Sequence, residues 1–318
     1  MNDNGLNFED PLRELGKKIA ELENFQTNKG YDLREPISRL RRQLHRTARE
    51  IFGHLTPWQK VQVARHLDRP TALDHIDRMC TDFVELHGDR AFRDDRAILC
   101  GLARLDGRPV MLIAQQRGRS TKERLVCNWG MAHPEGFRKA LLKMKLAERF
   151  HMPIVTLIDT AGAYPGIGAE ERGQPHAIAT NLVEMVKLRV PMVAVVIGEG
   201  GSGGALALAL GNRLCMFEHS TFSVISPEGC SSILFRTADK RAQAAEALKL
   251  TAQDLERLGI VDEIIPEPLP AAHWDPVGAA ELLKAALIRN LDQLAPLSPD
   301  KLIAARREKY REIGFFSE

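Results

Sequence analysis

The chain of 318 residues lacks three features that would assign it to a broad class of protein. Its five cysteines are odd in number and form no C-x-x-C pair, which argues against a disulfide framework or a zinc site and favours a reduced, cytoplasmic compartment. Lysine and arginine total 44 against 42 acidic residues, and a net charge of +2 predicts neither a nucleic-acid nor a membrane-surface partner. The cysteines are Cys80, Cys100, Cys127, Cys215 and Cys230.

Long uninterrupted apolar runs are also missing. The N-terminus is acidic and has no apolar stretch of the kind found in secretory signals. The most apolar stretch, at 190–214, is interrupted by Glu199 and a cluster of glycines. We therefore predict no membrane span.

Both ends of the chain carry helical patterns. Apolar residues recur at intervals of three and four over 8–22 and again over 33–44, with a turn around Gly30, which predicts an antiparallel helical hairpin. We interpret 1–53 as a helical arm, 54–295 as the core and 296–318 as a C-terminal helix.

The middle of the chain alternates short β-branched runs with helices. Asp106-Gly107 between two apolar runs predicts a β-hairpin. Strands at 154–158 and 192–197 then alternate with helices at 134–150 and 171–188. This order is typical of stacked β-α units with parallel strands, so we predict an α/β fold.

The most informative segment is VVIGEGGSGGALALA, in which an apolar strand leads through glycines into a helix. The first N–H groups of a helix lack intrahelical acceptors and lie at the positive end of its dipole. Glycine lets a ligand approach them closely, so they can hold an anion or a developing oxyanion. Close packing of the helix on the strand would require the same glycines.

Two other interpretations of the segment stay open. Gly198-x-Gly200-x-x-Gly203, with Glu218 about 20 residues on, matches the dinucleotide fingerprint. A G-x-S-x-G pattern around Ser202 matches the nucleophile elbow of hydrolases. Its triad partners would be Asp239 or Asp262, with His273.

Two further loops and a basic stretch complete the candidates. DTAGAYPGIGAEERGQ at 159–174 follows a strand, where α/β folds place ligands, and ISPEGCSSI has Pro227 at a helix start. Residues 117–149 carry nine basic and three acidic side chains, a local net charge of +6. Within this stretch, Arg119 and Lys122 lie in a predicted loop and are candidates for binding phosphates or a carboxylate.

Five segments, taken in order, resemble the alpha subunits of bacterial acetyl-CoA carboxylase carboxyltransferase. They are GRSTKE at 118–123, GMAHPEGFRKA at 130–140, DTAGAYPGIGAEERGQ at 159–174, VIGEGGSGGALALA at 196–209 and SVISPEGC at 223–230. The sequence departs from the family pattern at Ser120, Ala132-His133, Phe137 and Ala161, where glutamate, Pro-Ala, tyrosine and proline are expected.

The resemblance implies a ClpP/crotonase-like spiral of stacked β-β-α units with helical extensions, the family domain covering about 33–295. It implies transfer of a carboxyl group from carboxybiotin, carried on biotin carboxyl carrier protein, to acetyl-CoA. The product is malonyl-CoA, in the first committed step of fatty-acid biosynthesis. Expected partners are a zinc-containing beta subunit in an alpha2-beta2 heterotetramer and a separate, ATP-consuming biotin carboxylase. No metal is expected in this chain.

The resemblance also assigns site residues. Backbone N–H groups of Gly203 and Gly204 would form the hole for the biotin carbonyl oxygen, and Gly204→Val would be expected to fold but lose carboxyl transfer. The thioester hole would belong to the beta subunit. The remaining substrate-binding residues would be Gly162, Ala163, Gly166, Gly201, Pro227 and Gly229.

Overall fold

The computed structural model describes residues 6–314. Its strands are β1 (Cys80–Glu85), β2 (Ile98–Leu105), β3 (Arg108–Gln115), β4 (Ile154–Thr160), β5 (Met192–Gly201), β6 (Arg213–Phe217), β7 (Thr221–Ser223) and β8 (Glu263–Ile265). Its helices are α1 (Asp10–Lys29), α2 (Arg34–Phe52), α3 (Pro57–Ala64), α4 (Ala72–Met79), α5 (Thr121–Val126), α6 (Pro134–Arg149), α7 (Ile167–Glu171), α8 (Gln174–Met185), α9 (Ser202–Ala209), α10 (Pro227–Phe235), α11 (Arg241–Ala247), α12 (Ala252–Arg257), α13 (Pro276–Leu294) and α14 (Pro299–Arg311). Within 6–314, no helix combines the length and the apolar character needed to cross a membrane.

The strands form one mixed sheet in the order β1-β2-β3-β4-β5-β6-β8, and β7 pairs with the end of β5. The first three strands pair antiparallel, whereas every pair from β3 onward is parallel. Asp106 and Gly107, between β2 and β3, both have positive φ angles of 52° and 77°, as a tight hairpin turn requires. The predicted hairpin and the alternating β-α order are confirmed.

Helices cover both faces of the sheet. Val193 and Val195 of β5 point into the core beneath α4 and α13, whereas Met192, Ala194 and Val196 point into the core beneath α6, α8 and α9. Burial on both faces explains why β5 is an unbroken apolar run without polar alternation.

The glycines begin inside β5, whereas the sequence predicts that this strand ends at residue 197. The strand continues to Gly201, because Glu199, Gly200 and Gly201 pair with β7 and Gly200 also pairs with Thr160 of β4. Extended glycines without side chains let β5 pack tightly here: a Cβ on Gly200 would overlap the ring of Phe222. β5 therefore ends at Gly201, and α9 begins at the next residue, Ser202.

The N-terminal helices lie where the apolar spacing predicted them. α1 ends at Gly30, whose φ of 72° is left-handed, and α2 packs back against α1. Leu12 and Phe52, at the base of the pair, pack with Val63 and Ala271 of the core. The division into arm, core and C-terminal helix itself stays a prediction.

The last helix is attached to the core through a buried charge. Arg306 of α14 has no exposed surface, and its guanidinium donates to the carbonyl oxygens of Met185, Leu188 and Val190 at 2.8 to 3.1 Å. It also donates to Oδ1 of Asn212 at 2.6 Å. Burial lowers the pKa of Arg306 to about 10, so the side chain stays charged at neutral pH.

We predict that Arg306→Leu lowers the free energy of unfolding by about 2 to 4 kcal/mol, because four buried acceptors lose their donor. Denaturant unfolding monitored by circular dichroism measures the change. Arg307→Leu, on the exposed side of α14, is the matched control and should have little effect. Equal stability of the two variants would contradict the anchoring role of Arg306.

Candidate active site

A cleft of about 610 Å³ opens at the carboxyl ends of β4 and β5. Parallel α/β sheets bind ligands at this edge, where the loops after neighbouring strands meet. The cleft joins the loop after β4, the first turn of α9 and the segment between β7 and α10. Its lining residues are Arg65, Ala161, Gly162, Ala163, Ile178, Ser202, Gly203, Val224, Ile225, Ser226 and Glu228.

The start of α9 is the predicted anion cradle. Gly201 is its N-cap and Ser202 its first residue, so the N–H groups of Gly203 and Gly204 belong to the first turn and have no intrahelical acceptors. Gly203 faces the cleft, and a Cβ there would lie 3.7 Å from the Ile178 side chain, an ordinary contact. The first turn therefore presents N–H donors to an open space.

Gly204 is buried against the opposite loop. A Cβ on Gly204 would lie 2.5 Å from the backbone nitrogen of Ala163 and 2.7 Å from the carbonyl oxygen of Gly162. These are backbone atoms that cannot rotate away. The structure therefore corrects one expectation: Gly204→Val disturbs the packing of two loops before it affects any ligand.

Gly162 and Ala163, both predicted to bind substrate, line the cleft opposite α9. The Thr160 hydroxyl donates to the Gly162 carbonyl oxygen at 2.7 Å and accepts from the Gly162 N–H at 3.1 Å, which holds this loop in place. Gly166 lies farther along the loop, as the N-cap of α7.

The other predicted binding residues lie behind the cleft or beside it. Gly201 and Pro227 line a small adjoining cavity, together with Ser226. The Gly229 N–H, in the first turn of α10, already donates to the Ser226 hydroxyl at 3.1 Å. The structure thus brings together the starts of α9 and α10, and their roles in substrate binding stay predictions.

Arg119 and Lys122 are not among the residues that line the cleft. The Arg119 guanidinium pairs with Asp74 at 2.8 Å and with Asp77 at 3.1 Å, both on α4, and Lys122 is exposed on α5. The basic stretch is partly structural as well, since Lys139 is buried and pairs with Asp94 at 2.6 Å. A binding role for Arg119 and Lys122 stays a prediction without support from the cleft geometry.

The cation of the cleft is Arg65, which follows α3 and which the sequence patterns did not single out. Its guanidinium contacts Glu199 of β5 at 2.5 and 3.0 Å and Glu228 of α10 at 2.7 Å. Through these contacts, Arg65 connects the glycine-rich end of β5 to α10. No motif surrounds Arg65, and Glu199 lies within a run of glycines that is typical of a turn. Only the folded structure therefore shows that the two side chains pair.

A second arginine lies behind the first. Arg117 contacts Asp159 at 3.2 Å and Glu199 at 3.8 Å, and Asp159 accepts the N–H of Glu199 at 3.0 Å. Burial raises the pKa of Asp159, and the charge of Arg117 opposes that rise. A Cβ on Gly198 would lie 2.5 Å from the Asp159 carboxylate, which explains the glycine at that position.

The hydrolase interpretation is not supported by the placement of the triad candidates. His273 pairs with Glu9 at 2.9 Å, Asp262 accepts the Leu214 N–H at 2.6 Å, and Asp239 accepts from Thr237 at 3.1 Å. None of the three candidates lines the cleft beside Ser202. Ser202 does have a left-handed φ of 52°, but without a neighbouring base this strained turn serves to start α9.

The dinucleotide interpretation also fails on geometry. Its first two glycines, Gly198 and Gly200, lie within β5, where the fingerprint requires a loop that opens the helix. Glu218 lies beyond β6, where its carboxylate accepts the Glu267 N–H at 3.4 Å. The segment therefore lacks the phosphate loop of that motif.

Among residues 6–314, one cluster offers metal-ligand types at short range. Glu9, His66 and His273 place one ligand atom each within 4.8 Å of one another. The two imidazole rings, however, stack face to face at 4.0 Å with an interplanar angle of 22°. Their lone pairs lie in nearly parallel planes and do not converge on one ion, so we assign no metal to this cluster.

Comparison with known proteins decides the family. The model of the family described as "Acetyl co-enzyme A carboxylase carboxyltransferase-like" matches residues 5–314. The chain belongs to this family. The acetyl-coenzyme A carboxylase carboxyl transferase subunit alpha of Halorhodospira halophila is 54% identical over 314 residues, 99% of each chain. That of Halalkalibacterium halodurans is 52% identical and covers 98% of this chain and 96% of its own length.

Solved structures share the fold of this chain. Transcarboxylase 12S, with methylmalonyl-coenzyme A bound, matches with a TM-score of 0.59 at 20% identity, over 76% of this chain and 45% of that chain. The Pseudomonas malonate decarboxylase MdcD-MdcE heterodimer matches at 0.54 and 15% identity, over 69% of this chain and 89% of that chain. The predicted crotonase-like α/β fold is confirmed.

Gly203 and Gly204, in the first turn of α9, should respond differently to substitution by alanine. Gly204→Ala is expected to lower the free energy of unfolding by about 1 to 3 kcal/mol, because its Cβ overlaps fixed backbone. Gly203→Ala has room and replaces glycine in a helix, so stability should be unchanged or raised by up to about 1 kcal/mol. Thermal and denaturant unfolding of both variants measure the difference. Similar losses in both would show that the close approach at Gly204 is not the constraint.

Proposed function

We propose that this chain is the alpha subunit of acetyl-CoA carboxylase carboxyltransferase. It takes part in moving a carboxyl group from carboxybiotin on biotin carboxyl carrier protein to acetyl-CoA, which gives malonyl-CoA. The observation that supports this best is the open first turn of α9, where Gly203 lines the cleft without a side chain and its backbone N–H has no intrahelical acceptor.

The donors of α9 suit an oxygen that gains negative charge. A fixed N–H donor in a site shielded from water can stabilise such an oxygen by about 3 to 4 kcal/mol. We assign the N–H groups of Gly203 and Gly204 to the ureido carbonyl oxygen of biotin, and the backbone of Gly162–Ala163 and Pro227–Gly229 to the carboxyl group. When bound, biotin supplies the carboxyl group and a base for the methyl proton of acetyl-CoA. The chain's own part is to bind and orient.

Water exclusion requires a second protein surface. Large apolar side chains around this edge are exposed: Val224 by 75%, Ile233 by 71% and Leu234 by 64%. An exposed apolar patch beside a cleft marks an interaction surface. We propose that the beta subunit covers it, contributes the thioester hole and carries zinc, in an alpha2-beta2 heterotetramer that works with biotin carboxylase. A cytoplasmic location and the absence of a nucleic-acid partner stay predictions.

Mixing the chain with the beta subunit, biotinylated carrier and malonyl-CoA tests the function. The complex should transfer the carboxyl group from malonyl-CoA to the biotin of the carrier, which is the reverse of the proposed reaction. Gly203→Val should lower kcat by about 100-fold, because its side chain fills the approach to the N–H groups. Ser202→Ala should stay within a few-fold of the parent. A fluorophosphonate that labels Ser202, or a large loss in Ser202→Ala, would favour a serine hydrolase.

A charge in the exposed apolar patch should prevent assembly. Ile233→Glu is expected to weaken binding of the beta subunit at least tenfold without changing the melting temperature, because burying an unpaired carboxylate is costly. Phe150→Glu is the control. Phe150 is 63% exposed but lies between α6 and β4, at the amino end of that strand and away from the cleft. Sedimentation of mixed subunits measures the affinity, and equal binding by both variants would place the interface elsewhere.

A further inference from the structure

The cleft holds one charged pair that the proposed function does not yet use. Arg65 and Glu228 are both among the residues that line it. The Arg65 side chain is 26% exposed, so its guanidinium is reachable from the cleft. The following inference rests on the proposed function and concerns how the site recognises a carboxylated substrate.

The two carboxylates that contact Arg65 are held very differently. Glu199 lies on β5 with 9% of its side chain exposed, and it receives two contacts from Arg65. Glu228 is 35% exposed and receives one contact, at Oε1, whereas its Oε2 is buried without a hydrogen-bond partner among the described residues. A carboxylate that keeps an unpartnered buried oxygen is the weaker of the two partners.

The composition and exposure of the charged network point to the same carboxylate as the one that a ligand can displace. The network contains two guanidinium groups, Arg65 and Arg117, and three carboxyl groups, Glu199, Glu228 and Asp159. Without Glu228, two cations would face two carboxyl groups deep in the fold. Glu228 is also the most exposed of the three, at 35% against 9% for Glu199 and 7% for Asp159, so a ligand can displace it without disturbing the buried pairs.

A substrate carboxylate could take over this contact at no cost in net charge. The planar guanidinium forms two parallel hydrogen bonds with a carboxylate, and Arg65 would retain Glu199 as its fixed partner. The first turn of α10, which favours the negative charge of Glu228, would equally favour the incoming group.

We propose that Arg65 binds the carboxylate of the carboxylated substrate and that Glu228 occupies its place while the cleft is empty. Two reactants carry this chemistry, namely malonyl-CoA and the N-carboxylated ureido group on the carrier protein. Acetyl-CoA has no carboxylate and is the natural reference compound.

Glu228→Gln in the complex with the beta subunit provides the test, since it keeps the shape of the side chain and removes its charge. The dissociation constant of malonyl-CoA, measured by calorimetry, should fall about three- to tenfold, while that of acetyl-CoA stays unchanged. The second measurement is the KM of the carboxylated carrier protein. If this KM falls while the dissociation constant of malonyl-CoA is unchanged, Arg65 binds the ureido carboxylate. Unchanged or weaker binding in both measurements would overturn the proposal.

Two further variants separate this role from a structural one. Glu246→Gln changes an exposed carboxylate on α11 and should leave both affinities unchanged. Arg65→Lys keeps the positive charge but loses the paired donors, so it should weaken malonyl-CoA at least tenfold more than acetyl-CoA. If the unmodified complex binds these ligands as described but transfers no carboxyl group, the proposed function fails and the assignment of Arg65 stands.

Discussion

The backbone of the first turn of α9 approaches the loop after β4 very closely at the cleft. Gly204 meets the backbone of Gly162 and Ala163 at distances that exclude a Cβ. Two loops that end neighbouring parallel strands can meet this closely only when side chains are absent. The approach fixes where the N–H groups of α9 point, so the geometry of the cleft depends on it.

The close packing leaves few side chains at this edge to hold the loops, and buried charges take that role. Arg65 and Arg117 connect β5 to α10 and to the end of β4 through Glu199, Glu228 and Asp159. Burying these charges is stable only because each has a partner of opposite sign at short range. The network therefore holds the glycine-rich end of β5 in place and keeps the Arg65 guanidinium beside the cleft.

Much of the fold was predictable, because strand and helix periods, Asp106-Gly107 and the strand-to-helix glycines are local signals. The extension of β5 to Gly201 was not, since it depends on pairing with β7, which lies 20 residues later in the chain. Arg65 was missed and Arg119 was favoured for the same physical reason. Ion pairs join residues far apart in sequence, and a basic residue in a loop gives no indication of whether carboxylates such as Asp74 and Asp77 already surround it.

The openness of the cleft connects its chemistry to assembly. A backbone N–H contributes most to an oxyanion when water is absent, because the effective dielectric constant then falls and no solvent competes for the donor. The side of the cleft formed by Val224 and Ile225 leads to the exposed apolar residues of α10, and no described residue closes over it. Under the proposed function, the exposed apolar surface that a partner would bury is also the surface that must be covered for the N–H groups to act at full strength. One binding event would satisfy both requirements, so the chain can fold around its own core and still depend on another subunit for chemistry.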